Sequence, residues 1–290
     1  MTVYRARPRL RKPPVPLDLP PPVLHRRYEL GNEVGRGGCA SVYHAWDIRA
    51  GKPVALKRAH WGQQYHAALF HEAETLARLH HPAIPAFVEF FEEAGGAYLA
   101  QEWKDGTPLT ERQRFSLTEI LWIGLQCTEV LAHLHQQRLV HRDIAPGNIL
   151  LDREHQRLCV LDFGLACLDY SSPHAEEAPP LFASIAGTPG YVAPEHWVEG
   201  TVSPAGDIYS LGMLLGCALT GREPPDAVTV PSFAALWDDP RTLPAGLLPL
   251  LELLDQMCAF QPEDRPDATT VCSTLTRLQA ELVRGPMPWR

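Results

Sequence analysis

Residues 141 to 148 read H-R-D-I-A-P-G-N, and residues 161 to 164 read L-D-F-G. Four residues separate Asp143 from Asn148, so one short loop can position a reacting hydroxyl group and a metal ion together. Either aspartate, Asp143 or Asp162, could by itself be a turn or helix-cap residue. Taken with Asn148, the two acids predict a site for magnesium and phosphate.

A glycine-rich stretch precedes this site by about a hundred residues. Residues 35 to 42 read G-R-G-G-C-A-S-V and lie between two predicted strands. Gly35 and Gly37 would let the backbone approach phosphate oxygens and offer N–H groups to them. An ordinary glycine-rich hairpin explains the same pattern equally well.

One lysine stands in an apolar strand. The stretch V-A-L-K ends at Lys57, and an unpaired ammonium group would be costly to bury there. On the helix predicted next, over residues 64 to 80, Glu72 shares a face with Leu69 and Leu76 because of the helical spacing. Glu72 is therefore predicted to point inward and to pair with Lys57.

Length and patterning predict two structural units. The chain has 290 residues and 45% hydrophobic residues, enough for a sizeable core. Residues 28 to 103 contain short β-like runs and one helical stretch. After residue 103 helical patterns dominate: one follows the capping box of Ser116 and Glu119, and others cover residues 204 to 219 and 268 to 282.

The first 27 residues differ in composition from the rest. They hold seven basic residues, one acid and seven prolines, although the whole chain has a net charge of −8. We expect residues 1 to 27, the N-terminal arm, to be extended or disordered, and residues 285 to 290 to form a short tail. The arm is either a solvated leader or a docking segment for an acidic partner. The net negative charge argues against a protein that binds nucleic acid over its whole surface.

Compartment is predicted from the cysteines and the apolar runs. The seven cysteines are scattered and form no C-x-x-C pair, which favours a reducing compartment and thus the cytoplasm. No secretory signal is visible, and no apolar run approaches the roughly 18 residues of a transmembrane segment.

As an ordered set, these motifs resemble those of the eukaryotic-like (Hanks-type) serine/threonine protein kinases over about residues 28 to 283. G-T-P-G-Y-V-A-P-E at 187 to 195 is similar to the end of that family's activation segment. D-I-Y-S-L-G at 207 to 212 is similar to the helix that anchors its catalytic loop. The Arg and Pro content resembles that of bacterial members.

The resemblance implies an α+β, bilobal fold. Residues 28 to 103 would form a small N-lobe with an antiparallel β-sheet and one helix, and residues 104 to 284 a larger, mainly α-helical C-lobe. It also implies transfer of the γ-phosphoryl group of ATP to Ser/Thr hydroxyls of protein substrates, with autophosphorylation, and Mg²⁺ or Mn²⁺ as the metal.

Each residue that matches a family motif receives an expected role. Asp143 would accept the proton of a substrate hydroxyl, and Lys57, held by Glu72, would contact the α- and β-phosphates of ATP. Asn148 and Asp162 would hold the metal. The other nucleotide-binding positions would be Gly35, Gly37, Val42, Ala55, Leu150, Gln101 as gatekeeper, and the connector from Glu102 to Lys104. Structural roles would fall to Asp207 and to an ion pair of Glu195 with Arg265.

Two positions depart from the family pattern and leave alternatives open. Ala40 replaces the third glycine of the phosphate loop, and Ala145 stands where a lysine usually follows the catalytic aspartate by two positions. Loss of one electrostatic donor can cost about 2.7 to 4 kcal/mol of transition-state stabilisation. A pseudokinase, meaning an ATP-binding scaffold with weak or no turnover, is therefore the alternative. A small-molecule phosphotransferase of related fold is a third hypothesis.

Acceptor type and regulation are also expected from the resemblance. The G-T-P-G-Y segment favours Ser/Thr acceptors, with Thr188 near Asp143. Arg142 precedes the catalytic aspartate, an arrangement in which an arginine can bind a phosphorylated activation segment. Ser184, three residues before Gly187, is the expected phosphorylation site.

Overall fold

The computed structural model describes residues 3–4, 23–109, 115–168, 187–198, 200–224, 232–233 and 247–284. These residues fall into two compact units. The sheet unit comprises the described residues of Met1–Leu109 and Gly147–Gly164, and the helical unit those of Thr110–Pro146 and Leu165–Arg290. The predicted α+β class, with one sheet-rich and one helix-rich part, is confirmed.

The sheet unit is built on one antiparallel sheet of seven strands. Their order is β1-β3-β4-β5-β7-β6, and β2 also pairs with β3. The strands are β1 (Val3–Tyr4), β2 (Val23–Leu24), β3 (Tyr28–Arg36), β4 (Ala40–Asp47), β5 (Lys52–Ala59), β6 (Phe87–Glu93) and β7 (Gly96–Glu102). A helix, α1 (Gln63–Arg78), lies between β5 and β6 in the chain and ends before His81-Pro82, because a proline disfavours helical geometry in the residue that precedes it.

Alternation along the strands separates the two faces of this sheet. One face carries the buried apolar cluster of Tyr28, Ala45, Val54, Leu56, Phe91, Tyr98 and Ala100. Residues paired directly across antiparallel strands project to the same face, so Val42 and its partner Lys57 share the opposite face. Glu72 of α1 meets the sheet on this second face, because its carboxylate contacts Lys57. A single sheet therefore separates an apolar core from a charged site.

The end of the N-terminal arm contacts the sheet. Arg27 donates two hydrogen bonds to Asp47, at 3.0 and 2.7 Å, and one to Glu89 at 2.8 Å. Asp47 is completely buried, and the hydrogen bond from Arg27 does most to hold the pKa of its carboxyl below the usual value. Residues 23 to 27, which composition assigned to the arm, are thus held by the sheet unit. The remainder of the arm apart from Val3–Tyr4, and the tail at 285 to 290, lie outside the described residues.

The division into units differs from the predicted boundary at residues 103 and 104. Three further strands belong to the sheet unit: β8 (Thr107–Pro108), β10 (Ile149–Asp152) and β11 (Arg157–Val160). They form a small sheet of order β11-β10-β8, and the N–H of Val160 donates to the carbonyl of Ala83 at 2.8 Å. These long-range hydrogen bonds attach residues 147 to 164 to the sheet unit.

The helical unit contains α2 (Leu117–Gln136), α3 (Pro194–Val198), α4 (Pro204–Thr220), α5 (Leu248–Met257) and α6 (Ala268–Arg284), with short strands β9 (Leu139–Val140) and β12 (Cys167–Leu168). The predicted capping box is present, since the Ser116 hydroxyl accepts from the N–H of Glu119 and the Glu119 carboxylate accepts from the N–H of Ser116. Helix α2 packs against α4 and α6, and α4 packs against α5.

Candidate active site

Lys57 forms the centre of a buried charge network in the sheet unit. Its ammonium group donates to Glu72 Oε1 at 2.5 Å and to Asp162 Oδ1 at 3.1 Å. The lysine is 2% exposed, and Glu72 is 4% exposed. Strand β5 positions the lysine, helix α1 the glutamate, and the loop after β11 the aspartate. The two carboxylates therefore hold the ammonium group in one defined position.

Burial and charge act in opposite directions on this pair. Burial raises the pKa of Glu72, and the charge of Lys57 opposes that rise. Asp162 adopts a left-handed backbone conformation with φ of 63°, which is uncommon for a residue other than glycine. Such strain is typical of functional sites, where the surrounding structure holds the residue in place.

The glycine-rich stretch forms a tight hairpin between β3 and β4. Gly35 pairs with Val42, Arg36 pairs with Ser41, and the N–H of Gly37 donates to the carbonyl of Ala40 at 2.8 Å. Ala40 has no positive φ, so alanine is accommodated at the third glycine position without strain. A Cβ added at Gly38 would meet no atom within 4 Å. The hairpin tip thus leaves open space beside its backbone.

The expected nucleotide-binding residues all lie in the sheet unit. Ala55 pairs with His44 on one side and with Gln101 on the other, so these three side chains form a row across β4, β5 and β7 on the face of Lys57. Ala55 is 5% exposed and Gln101 2% exposed. Leu150 on β10 belongs to a separate buried cluster with Cys159 and Leu161.

The connector that follows β7 is held by its own side chains. The N–H of Glu102 donates to the carbonyl of Ala86 at 2.8 Å, and Glu102 Oε2 accepts from the N–H of Ala86 at 3.1 Å. Lys104 contacts Glu102 at 2.9 Å and donates to the carbonyl of Pro82 at 3.1 Å.

The chemistry of two oxygen donors fits a divalent metal. Asn148 and Asp162 supply an amide oxygen and a carboxylate, the oxygen ligands that Mg²⁺ prefers. The carbonyl of Asn148 accepts from the N–H of Leu161 at 2.8 Å, which ties the two loops together. A Cβ at Gly164 would lie 3.3 Å from Asp162 Oδ1, so glycine leaves the space beside that oxygen open.

Asp143 lies in the helical unit, where Thr188 binds it. The N–H and the hydroxyl of Thr188 both donate to Asp143 Oδ1, at 2.8 and 2.7 Å. Gly187, just before Thr188, has φ of 130°, and a Cβ there would lie 2.7 Å from Val192 Cγ2 and 3.0 Å from the carbonyl oxygen of Arg142. Glycine at 187 therefore allows the close approach of the backbone to Val192 and to the carbonyl of Arg142.

Comparison with known proteins decides the family. The profile described as "Protein kinase domain" matches residues 28–275. The chain belongs to the protein kinase family.

Bacterial serine/threonine kinases are among the relatives of this kinase domain. It is 31% identical to serine/threonine-protein kinase C of Synechocystis sp. over 274 residues. These residues are 87% of this chain and 50% of the relative. It is 32% identical over 260 residues to serine/threonine-protein kinase PknA of Mycobacterium tuberculosis, covering 83% of this chain and 58% of the relative. For serine/threonine-protein kinase PrkC of Bacillus subtilis the identity is 33% over 216 residues, 72% of this chain and 32% of the relative. The chain thus spans about half or less of the length of most of these relatives.

A buried aspartate on α4 binds the backbone just before Asp143. Asp207 accepts from the N–H groups of His141 and Arg142, each at 2.9 Å, and His135 Nε2 lies 2.9 Å from its Oδ2. Burial alone would raise the pKa of Asp207, but the hydrogen bonds of His135 and His141 lower it overall. Asp207 also holds Arg142 in a left-handed conformation with φ of 68°.

A second buried ion pair joins Glu195 of α3 to Arg265. Arg265 contacts Glu195 through two parallel hydrogen bonds, at 2.7 and 2.8 Å. It also donates to the carbonyls of Ala259, Ala205 and Phe260, so all five N–H donors of the guanidinium are used.

Three expectations from the sequence concern Ala145, Ser184 and membrane-spanning segments. Ala145 is 1% exposed and supplies no cation beside Asp143. Ser184, the expected phosphorylation site, lies outside the described residues. No described helix is both long and apolar enough to cross a bilayer.

Sequence reasoning missed one contact on the face of the sheet that carries Lys57. The ring of His44 meets the ring of Trp103 edge to face, with centroids 4.6 Å apart and an angle of 86°. The signal was present in the alternation of β4, where His44 follows Val42 by two residues and must share its face.

Proposed function

We propose that this kinase domain transfers the γ-phosphoryl group of Mg-ATP to serine and threonine hydroxyls of proteins, its own chain included. Lys57 supports this most strongly, because it donates to Glu72 and Asp162 from a buried position on the face of the sheet that carries Ala55 and Gln101. In phosphoryl transfer, catalysis consists largely of positioning and of stabilising charge on the phosphates.

Residues of the sheet unit would bind and orient the nucleotide. Backbone N–H groups of Gly35 and Gly37 would cover the phosphates, and Lys57 would contact the α- and β-phosphates. Val42, Ala55 and Leu150 would enclose the adenine, next to Gln101 and the backbone from Glu102 to Lys104. Asn148 and Asp162 would hold Mg²⁺, which neutralises charge on the phosphate oxygens when bound.

Asp143 would act on the acceptor. Thr188 holds its Oδ1 through two hydrogen bonds, and the carboxylate would orient the substrate hydroxyl and accept its proton. This contact of Thr188, in the G-T-P-G-Y segment, with the proposed base Asp143 favours Ser/Thr acceptors.

The second candidate is a pseudokinase that binds ATP as a scaffold. Ala145 motivates it, because no lysine stands beside the transferring phosphoryl group and one lost donor costs about 2.7 to 4 kcal/mol. Retention of Lys57, Asp143 and Asp162 counts against it, since binding alone requires no base.

Transfer of label from γ-labelled ATP to the chain and to a generic protein distinguishes the two candidates. We expect transfer by the unmodified protein and by Asp264→Asn, which changes an exposed acid of the helical unit, but none by Asp143→Asn. Equal transfer by all three, or by none, would reject the enzyme. A thermal shift on adding Mg-ATP without transfer would establish the scaffold instead.

Activation by phosphorylation of Ser184, with Arg142 as the phosphate ligand, is a further part of this proposal. Arg142 is 4% exposed and its backbone is fixed by Asp207. Phosphopeptide mapping of the autophosphorylated chain tests it. Ser184→Ala should lose that phosphopeptide and most of the activity, and full activity without phosphate at that site would reject it.

Two further proposals concern the cellular compartment of the protein and a binding partner of its N-terminal arm. All seven cysteines are free thiols, and burial raises the pKa of Cys127 and Cys159 to about 12, which suits the reducing cytoplasm. The basic N-terminal arm would dock an acidic partner, because it carries seven basic residues and one acid. Deleting residues 1 to 22 should then weaken such binding and leave phosphorylation of a generic protein unchanged.

A further inference from the structure

The adenine connector is tied on one side to the segment before β6. Both charged side chains of the connector, Glu102 and Lys104, contact the backbone of that segment, at Ala86 and at Pro82 respectively. Their mutual contact of 2.9 Å joins the two ties. These hydrogen bonds hold the connector to the segment before β6. Trp103, the residue between Glu102 and Lys104, makes its contact with β4 instead.

Trp103 ties the connector to β4. Its indole N–H donates to Asp105 Oδ1 at 3.0 Å, and its ring packs edge to face with His44. An edge-to-face aromatic pair with centroids within 4.5 to 7 Å is the preferred geometry. The Trp103 ring is therefore held by His44 of β4 and by Asp105, the residue after the connector.

His44 belongs to the nucleotide-facing side of the sheet. It is 8% exposed and lies in the row of Ala55 and Gln101, two residues after Val42 on the same face of β4. A substitution of His44 would thus affect the contact between β4, which also carries Val42, and the connector.

We propose that His44, in its neutral form, is a positioning residue for ATP: by packing against Trp103 it fixes the adenine connector relative to β4. This inference rests on the proposed function, because it assigns the residue to the nucleotide site described above. His44 acts through Trp103 and takes no part in the transfer itself. Its effect is on nucleotide binding and not on the rate of the chemical step.

The charge state of His44 agrees with this assignment. Burial lowers its pKa, and the nearby carboxylate of Asp105, the residue after the connector, opposes that shift. The imidazole is neutral at pH 7, and protonation at lower pH would draw it toward water and weaken its packing on Trp103. The affinity of the unmodified protein for ATP should consequently decrease as the pH is lowered.

Two substitutions and one control test the proposal. His44→Ala removes the ring pair, whereas His44→Phe keeps an aromatic ring and cannot titrate. His80→Ala is the matched control, because His80 is an exposed histidine of the same unit. The dissociation constant of Mg-ATP is measured between pH 5.5 and 8 in the Asp143→Asn background, and KM and kcat in the active protein.

We expect His44→Ala to weaken Mg-ATP binding and raise KM roughly two- to tenfold at pH 7.5, the range for one aromatic pair, with little change in kcat. His44→Phe should bind Mg-ATP like the unmodified protein at pH 7.5 but should not show the weaker binding at acid pH that we expect of the unmodified protein. A purely structural role would instead lower the melting temperature and the active fraction, without a selective change in KM.

Two results would overturn the proposal. One is unchanged ATP affinity in His44→Ala with the protein still folded. The other, which holds even if His44→Ala does not fold, is the same acid weakening in His44→Phe as in the unmodified protein. A protein that binds no Mg-ATP at all would reject the proposed function itself, so the two failures are distinguishable.

Discussion

At the scale of single residues, Asp143 depends on Thr188 for its orientation. Both hydrogen bonds from Thr188 reach the same carboxylate oxygen, and Ala145 supplies no cationic side chain where lysine is usual. The contribution of the Thr188 hydroxyl should therefore be large in this chain.

Replacement of Thr188 by valine should lower kcat roughly ten- to a hundredfold, because a hydrogen bond to a charged group is worth about 1.5 to 3 kcal/mol. Steady-state kinetics on a generic protein substrate measure the effect. Thr188→Ser retains the hydroxyl and should keep most of the activity. Equal loss in both variants would show that the methyl group matters and the hydrogen bond does not.

Arg265 offers a second residue-scale prediction, on stability. Lysine at this position keeps the charge but supplies three donors in place of the five that the guanidinium uses. We expect Arg265→Lys to lower the free energy of unfolding by about 1.5 to 3 kcal/mol, the contribution of a lost hydrogen bond to a charged group. Chemical denaturation measures it, with Arg277→Lys, in an exposed pair with Glu281, as control. Equal stability of the two variants would contradict the structural role.

Lys57 and Arg27 show which residue contacts sequence can predict. The pairing of Lys57 with Glu72 followed from helical spacing, because Leu69 and Leu76 define the buried face of α1. Arg27 lies in a basic, proline-rich stretch, and its partners Asp47 and Glu89 are 20 and 62 residues away. Only the folded sheet brings them together, so composition assigned Arg27 to the arm.

At the scale of elements, helix α4 carries a glycine that another segment requires. A Cβ at Gly216 would lie 2.1 Å from the ring of Phe233, which is 2% exposed. The N–H of Phe233 donates to Asp255 of α5 at 2.7 Å. Phe233 is thus fixed against α4 by both backbone and ring.

Gly216→Ala should destabilise the protein, although alanine favours a helix over glycine by about 1 kcal/mol. Overpacking costs typically 1 to 3 kcal/mol, and here the obstacle is a buried ring. Thermal melting compares the variant with Phe233→Ala and with the double variant. In the Phe233→Ala background, Gly216→Ala should leave the melting temperature unchanged or raise it. The same loss in both backgrounds would contradict a clash with Phe233.

Helices were easier to predict than the assignment of strands to units. Local signals define α2, whose capping box at Ser116 and Glu119 is present, and α6, predicted over 268 to 282 and observed as Ala268–Arg284. Strand β10 pairs with β11 and also with β8, which lies some 40 residues earlier in the chain. No local pattern encodes that pairing, so the boundary at 103 and 104 was not the one observed. The roles of the site residues themselves stay predictions.

At the scale of the whole molecule, stability should depend on pH through buried neutral histidines. His196 is 5% exposed, and burial and the charge of Arg142 lower its pKa, against the opposing charges of Asp207 and Glu195. The unfolded chain therefore takes up the proton more readily than the folded one. This contribution to stability is complete above about pH 6.5 and is lost as pH falls.

His196→Gln should reduce the acid loss of stability by up to about 1.4 kcal/mol per pH unit, the limit for one proton. Urea denaturation at pH 5 and at pH 7.5 measures the difference for the unmodified protein, this variant and His80→Gln as exposed control. If His196→Gln and the unmodified protein lose the same free energy between the two pH values, His196 is not the titrating group.

Phosphoamino acid analysis after incubation with γ-labelled ATP and Mg²⁺ tests the central claim most directly. The unmodified chain should contain labelled phosphoserine or phosphothreonine, and Asp143→Asn should contain none. Label in phosphotyrosine alone, equal label in Asp143→Asn, or no label in either protein would contradict assignment of the chain as an active serine/threonine kinase.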